Sequence, residues 1–325
     1  MPTSPPHTEG SPDVSVVIPI HNTEMWLDDC LCSVLAQTGV SMEILCVNDG
    51  STDASRRIVE RYASADPRIK IIDQPNSGQS AGRNTGLDAA RGRYVVFLDS
   101  DDFWVGDSLA SLVQRADEAK LDVLLFESVA FRDGNVDDHI WAYYARYYQR
   151  SRSYRRPRIG PRMIADMRAH GDYRPHVGMY LARTSHVREA KVRFIPGIVH
   201  QDNPYTFALL LNSSRVSLAK SFFYARRLRP GSTITTLRAA ASAKGYLLSY
   251  LAMRSELDRH ELDGPTSRAM QGVIAGVLES ARKQVARLPS AEREALGVLD
   301  IGAEGRTVVA DLVAAPERPN RASLS

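Results

Sequence analysis

The sequence is poor in cysteine: Cys30, Cys32 and Cys46 are the only three in 325 residues. An odd number without metal-ligand spacing excludes a disulfide scaffold and a zinc module. The three fall in segments that read as helix and strand, so they are expected to be small reduced core residues. Long apolar runs are lacking too. Nothing approaches the roughly 18–20 residues needed to cross a bilayer. The first residues, polar and proline-containing through Pro12, lack the basic-then-apolar pattern of a secretory signal, and the expected location is cytoplasmic. Net charge is only +3, too small to argue for nucleic acid as a partner. Two nucleotide signatures are also absent. The first apolar run is followed by Pro19-Ile20-His21-Asn22, neither a glycine-rich dinucleotide fingerprint nor a phosphate loop ending in Gly-Lys-Ser/Thr. Nicotinamide dehydrogenases and P-loop ATPases are thereby set aside.

What is present is an alternation of strand and helix patterns through the first 130 residues. Val14–Ile20, Glu43–Val47, Ile69–Ile72, Tyr94–Leu98 and Asp122–Phe126 are short, β-branched or aromatic runs that read as strands. Between them, Leu27, Leu31, Val34 and Leu35, then Ile58, Val59 and Tyr62, then Leu109, Leu112 and Val113 recur at helical spacing. Asn22 and Thr23 are cap candidates for the first helix, and Asp73 to Gly82 reads as a loop. Strands separated by helices of this length predict right-handed crossovers and an open, mostly parallel Rossmann-like α/β sheet with helices on both faces. Residues 239–299 carry leucine, alanine and methionine at helical spacing and predict a C-terminal helical portion.

Ligands of such open sheets bind beyond the carboxyl ends of the strands. Polar clusters fall at those ends in turn: His21-Asn22, Asn48-Asp49-Gly50, Asn76-Ser77-Gly78 and Asp99-Ser100-Asp101-Asp102. Together they read as one site. Three carboxylates within four residues repel one another unless a cation sits among them. Mg²⁺ or Mn²⁺ suits, since it takes oxygen ligands and carries phosphate oxygens as further ones. The plainer reading is an acidic turn before the next helix. Between Arg146 and Arg174 arginine occurs nine times, interleaved with Tyr147, Tyr148 and Tyr154 and preceded by Tyr143 and Tyr144. Such a stretch is either a solvated surface or a binder of phosphates and anionic head groups.

In this order, Val17-Ile18-Pro19-Ile20-His21-Asn22, Val47–Asp53, Asn76-Ser77-Gly78 with Gly82-Arg83-Asn84, and Phe97–Asp102 resemble family 2 glycosyltransferases. Arg193–Asp202, and Tyr224–Arg227 with Gly231-Ser232, extend the resemblance to about residues 14–235. It implies the A-type glycosyltransferase fold and inverting transfer of a sugar from a nucleotide-diphosphate donor to a glycan, lipid-linked or small-molecule acceptor. On this pattern residues 13–130 bind the nucleotide sugar, 131–235 the acceptor, 236–315 are helical, and 1–12 and 316–325 are disordered.

Residue by residue, Asp49 matches the acidic residue holding base or ribose, with Pro19, His21, Asn22 and Gly78 in loops bordering the nucleotide. Arg83 falls where a basic residue sits near the diphosphate. Asp99 and Asp101 match the aspartate-any-aspartate element, Ser100 lies between them, and Asp101 or Asp102 is the expected direct metal ligand, with His200 as a third. Arg226 and Ser232 match a flexible flap over the diphosphate. Asp202 matches the general base, a helix cap being its other reading. Two departures stand out: His21 replaces the usual Tyr, and Gln201 the usual Glu. A sugar-phosphate nucleotidyltransferase would need a glycine-rich, arginine-containing loop where His21-Asn22-Thr23-Glu24 stands. An inactive binding module is the remaining alternative. The basic segment Trp141–Arg174 is expected to border the acceptor site, to favour an anionic or membrane-interfacial acceptor, and to make a peripheral membrane contact.

Overall fold

The computed structural model describes residues 10–236, 238–297, 299 and 301–314. The termini expected to be disordered, 1–12 and 316–325, lie outside these apart from residues 10–12. Eight strands form one sheet: β1 Val14–Ile20, β2 Met42–Asp49, β3 Ile69–Gln74, β4 Tyr94–Phe97, β5 Phe103–Trp104, β6 Val123–Arg132, β7 Tyr180–Arg183 and β8 Val216–Leu228. Their order is β3-β2-β1-β4-β7-β6-β8-β5. β1 pairs in parallel with β2 and β4, β2 with β3, and β6 with β8; the pairs involving β7 and β5 are antiparallel. The sheet is therefore mostly parallel, as its alternating pattern predicts.

Each buried strand serves two cores. Val14, Val16, Ile18 and Ile20 of β1 join one apolar cluster and Val17 the other, the period-two division of a strand covered on both faces. One face is covered by α1 Leu27–Leu35, α2 Ser55–Ala65 and, after α3 Gln79–Ala89, α4 Leu109–Glu118. The other face carries α3 itself. Beyond α5 Asp138–Tyr144 it also carries α6 Gly160–Ala169 and, beyond α7 Thr184–Glu189, α8 Asp202–Leu211. After the short α9 Thr233–Thr236, helices α10 Ala239–Leu257 and α11 Gly264–Val285 pack on α8 and α6. α12 Ser290–Gly297 and α13 Gly302–Ala314 complete the helical end. Among the described residues no helix is long and apolar enough to cross a membrane.

Three local expectations are corrected. Gly82 is not in a loop: α3 already begins at Gln79, and its glycines let it lie against β1. A Cβ at Gly86 would stand 2.3 Å from Val17 Cγ1. Asn22 and Thr23 do not cap α1, whose N-cap is Trp26. Asn22, at φ 52°, instead accepts from Thr52 N at 2.8 Å, and the Thr23 hydroxyl donates to Ser100. Cys30 and Cys46 are buried and free as expected, but Cys32 is exposed, beside the Tyr62 hydroxyl.

Candidate active site

A cleft of about 680 Å³ opens at the carboxyl ends of β1, β2 and β4. It is lined by Pro19, His21, Asp49, Gly78, Arg83, Asp99, Ser100, Asp101, His200, Asp202, Arg226 and Ser232, which brings together nearly all the predicted site residues. Asn22 and Asp102 are not among the lining. Asn22 braces the turn after β2 through Thr52.

The nucleotide-side loops are held by the residues expected to touch the base. Asp49, at the end of β2, accepts from Gln74 Nε2 at 2.7 Å and from the Ser77 and Gly78 amides at 2.8 Å each. Its carboxylate shapes the β3–α3 loop. Gly78 stands at φ 83° with open space where a Cβ would be, so the backbone borders the cleft. His21 Nδ1 donates to the Asp49 carbonyl at 2.8 Å, which ties the first-strand loop to the second.

At the floor lies a buried charge network. Arg83, on α3 and 1% exposed, gives Nη2 to Asp99 at 2.6 Å and Nη1 to Asp202 at 3.4 Å. Arg226 Nη1 bridges Asp99 Oδ2 at 2.6 Å and Asp102 Oδ2 at 2.7 Å. Burial by itself would raise Asp99; Arg83 and Arg226 overcome it and hold the carboxyl well below its ordinary range. Asp202, first residue of α8, moves the other way: burial raises it, and Arg83 opposes that only in part. Two aspartates sharing one guanidinium are thus driven apart in acidity.

Four expectations change here. Arg226 is not on a flexible flap; it lies in β8, and with Nη1 on two aspartates it is a fixed part of the floor. Arg83 lines the cleft, but its guanidinium is already engaged by the Asp99 and Asp202 carboxylates. Asp102 is fully buried, with Tyr224 OH, Arg226 Nη1 and Arg227 N as donors at 2.6–2.7 Å, and has no room for a metal. His200 lines the cleft, but its Nε2 bonds Ser242 Oγ at 2.7 Å and its ring stacks on Tyr246; burial lowers its pKa to about 4.

Among the described residues no group of three or more His, Cys, Asp or Glu side chains forms a metal cage. The donor set nonetheless fits a cation held jointly with phosphates, since Mg²⁺ is commonly bound by one or two carboxylates plus substrate phosphates and water. Asp101 Oδ2 accepts from Arg229 Nε at 3.0 Å, and its other oxygen takes no hydrogen bond among the described residues. Asp99 stands beside it, tied to the arginines.

Several lining residues were not among the predicted site residues, Gln201 having been singled out only as a departure. Gln79 donates to Asp99 at 3.0 Å, and the Gln201 amide lies within 2.8–2.9 Å of Gln79, Arg83 and the Ile198 carbonyl. His176 is buried between Tyr148 and Tyr224, with ring centroids 5.3 Å from each, and burial lowers its pKa to about 3. Arg229 lies 3.7 Å over the Trp26 ring while pairing with Asp101. Of the Arg/Tyr stretch it is the tyrosines that reach the cleft: Tyr143, Tyr144, Tyr147 and Tyr148, together with Tyr246 of α10. Arg152, Arg155, Arg156 and Arg158 are exposed and outside it.

The family model described as glycosyl transferase family 2 matches residues 15–170, which run from the second residue of β1 through β6 and contain the four strand-end clusters. That segment is a glycosyltransferase family 2 domain. The chain is 32% identical to the glycosyltransferase GlyA of Streptococcus pneumoniae over 259 residues, 76% of the chain and 36% of GlyA. It spans about a third of the length of such curated relatives. Among solved structures, residues 1–349 of S. aureus TarS in complex with UDP-GlcNAc superpose with a TM-score of 0.67 at 18% identity, covering 93% of this chain and 89% of that one. The Pyrobaculum calidifontis mannosyltransferase PcManGT, in complex with GDP-Man and Mn²⁺, gives 0.57 at 15% identity, covering 94% and 86%. These likenesses show the A-type glycosyltransferase fold.

Proposed function

We propose that this protein is an inverting glycosyltransferase that moves a sugar from a nucleotide-diphosphate donor to an acceptor hydroxyl, with Asp202 as general base. The observation that carries the reading is Asp202 and the Asp99–Asp101 turn facing one cleft at the strand ends, joined by Arg83. The family 2 domain and the UDP-GlcNAc and GDP-Man bound by the structural neighbours support a nucleotide-sugar donor.

In the proposed step the acceptor oxygen attacks the anomeric carbon from the face opposite the diphosphate. The new C–O bond forms as the old one breaks, its electron pair leaving on the diphosphate oxygen. The acceptor proton passes to an Asp202 carboxylate oxygen. An ordinary aspartate is a weak base; burial raises Asp202 and strengthens it as a proton acceptor. Arg83 keeps that carboxylate oriented and ionised. Asp101, with Asp99 beside it, would hold Mg²⁺ or Mn²⁺, which when bound neutralises charge on the leaving diphosphate. Arg226 holds Asp99 in place.

The test is to screen the protein with Mn²⁺ against a panel of nucleotide sugars, by thermal shift and donor hydrolysis. At least one donor is expected to raise the melting temperature and be hydrolysed. A protein that binds donors without turnover is the binding module instead, and one that binds none refutes the reading.

A further inference from the structure

We infer that the acceptor side of this cleft is a carbohydrate platform, built from tyrosine rings, that takes the face of a neutral sugar rather than an anionic head group. The inference rests on the glycosyl-transfer reading and names its acceptor class. Tyr143 is 62% exposed and stacks on Tyr147 at 5.3 Å and 30°. Arg174 lies over the Tyr147 ring at 4.9 Å and donates Nε to the Tyr147 carbonyl at 2.6 Å, which fixes the stack. Tyr246 is stacked on His200 at 3.8 Å and 11° in the same cleft as Asp202. One exposed ring, Tyr143, and two half-buried ones, Tyr147 and Tyr246, pre-stacked in the same cleft as the candidate base, suit a pyranose. Its axial C–H groups form a weakly positive apolar face that meets the negative face of an aromatic ring, and its hydroxyls remain at the edge for proton transfer.

Charge distribution decides against an anionic acceptor. The arginines that line the cleft, Arg83, Arg226 and Arg229, are each paired with aspartates. The arginines that gave the segment its basic character, Arg152, Arg155, Arg156 and Arg158, lie elsewhere on the surface. The apolar-faced, hydroxyl-bearing ligand that remains is a sugar ring.

The experiment measures turnover of the donor identified by the panel, with the methyl β-glycosides of glucose, galactose and N-acetylglucosamine, and with glycerol phosphate, as acceptor probes. At least one glycoside should accept sugar. Tyr143→Ala and Tyr246→Ala should each raise its KM about two- to tenfold, the worth of one stacked ring, with a smaller change in donor KM. Tyr143→Phe keeps the ring and should stay near the parent. Replacing Arg152, Arg155, Arg156 and Arg158 together by Gln should leave both KM values unchanged. A parent that uses glycerol phosphate alone, or no probe at all, overturns the inference while donor hydrolysis still upholds glycosyl transfer. Unchanged acceptor KM in both alanine variants overturns it too. Loss of all donor turnover in the parent sinks both readings.

Discussion

Replacing Arg83 by Met removes a buried cation shared by two carboxylates and should be felt in stability and in acidity at once. Met fills much of the same apolar volume, including the approach to the Phe194 ring, where the guanidinium stands 5.3 Å from the centroid. Deleting one partner of a buried pair costs about 3–5 kcal/mol because the other charge stays behind. Here Asp99 keeps Arg226 and Gln79, and Asp202, 24% exposed, gains water. The loss should therefore fall near the lower end, about 3 kcal/mol. At about 2–4 °C per kcal/mol, melting should drop by about 6–12 °C, towards the smaller figure in a chain this long. The sign of the pH effect follows from Asp202. Burial raises its pKa and Arg83 opposes the rise, so removing Arg83 raises it further. A general base must be ionised, and the acid limb of kcat/KM should then move to higher pH. Differential scanning fluorimetry and a pH–rate profile, with Arg83→Lys as the charge-restoring control, read both effects. Lysine should bring the limb back towards the parent but regain only part of the stability, lacking the fork that reaches two aspartates. An unmoved acid limb with a fallen rate would refute the coupling and assign Arg83 to the donor; an unmoved melting point would refute the buried network.

Asp102→Asn, in contrast to Asp101→Ala, should lower melting stability by about 1–3 kcal/mol, because an amide nitrogen set against the buried donors of Tyr224, Arg226 and Arg227 leaves one of them unpaired, yet leave the Mn²⁺ dependence of donor hydrolysis intact. Asp101→Ala should weaken Mn²⁺ dependence with the smaller stability loss; a metal titration together with thermal melts separates the two, and the reverse pattern would return Asp102 to the metal. Gly178→Ala would place a Cβ 2.4 Å from Tyr224 Cε2. The ring bonding Asp102 must then shift, with an expected loss of about 1–3 kcal/mol that a denaturant titration would reveal, and an unchanged midpoint would show the contact to be slack.

The part of the sheet formed by β1 to β4 and the start of β6 was legible because those strands are short apolar runs cut by polar turns, and β1 matches its expected bounds at both ends; β5, β7 and β8 were not read from the sequence. The strand-end clusters were legible for the same reason: a polar group directly after a buried run has one place to go. What the pattern hid was the pairing among charges. Arg226 follows Phe223-Tyr224-Ala225, and nothing local says that its guanidinium reaches two aspartates more than 120 positions away. Asp102 looked like its neighbours in sequence, and only the packing of Tyr224 and Arg227 against it withdraws it from the cleft. The Arg/Tyr stretch was misweighted because composition cannot say which residue type faces inward; α5 and the turns after it send Tyr143, Tyr144, Tyr147 and Tyr148 to the cleft and leave Arg152, Arg155, Arg156 and Arg158 at the surface. Tyr246, one aromatic in a helical repeat, carried no signal of its own.

The central claim is that Asp202 takes the acceptor proton. Asp202→Asn keeps the size and the hydrogen-bonding shape of the side chain but cannot accept a proton at neutral pH. Measured side by side, donor-induced thermal stabilisation should match the parent and sugar transfer should fall by at least about a hundredfold, the usual worth of general base catalysis. Transfer at near-parental rates with intact donor binding would contradict the account and leave Asp202 as no more than the first residue of α8.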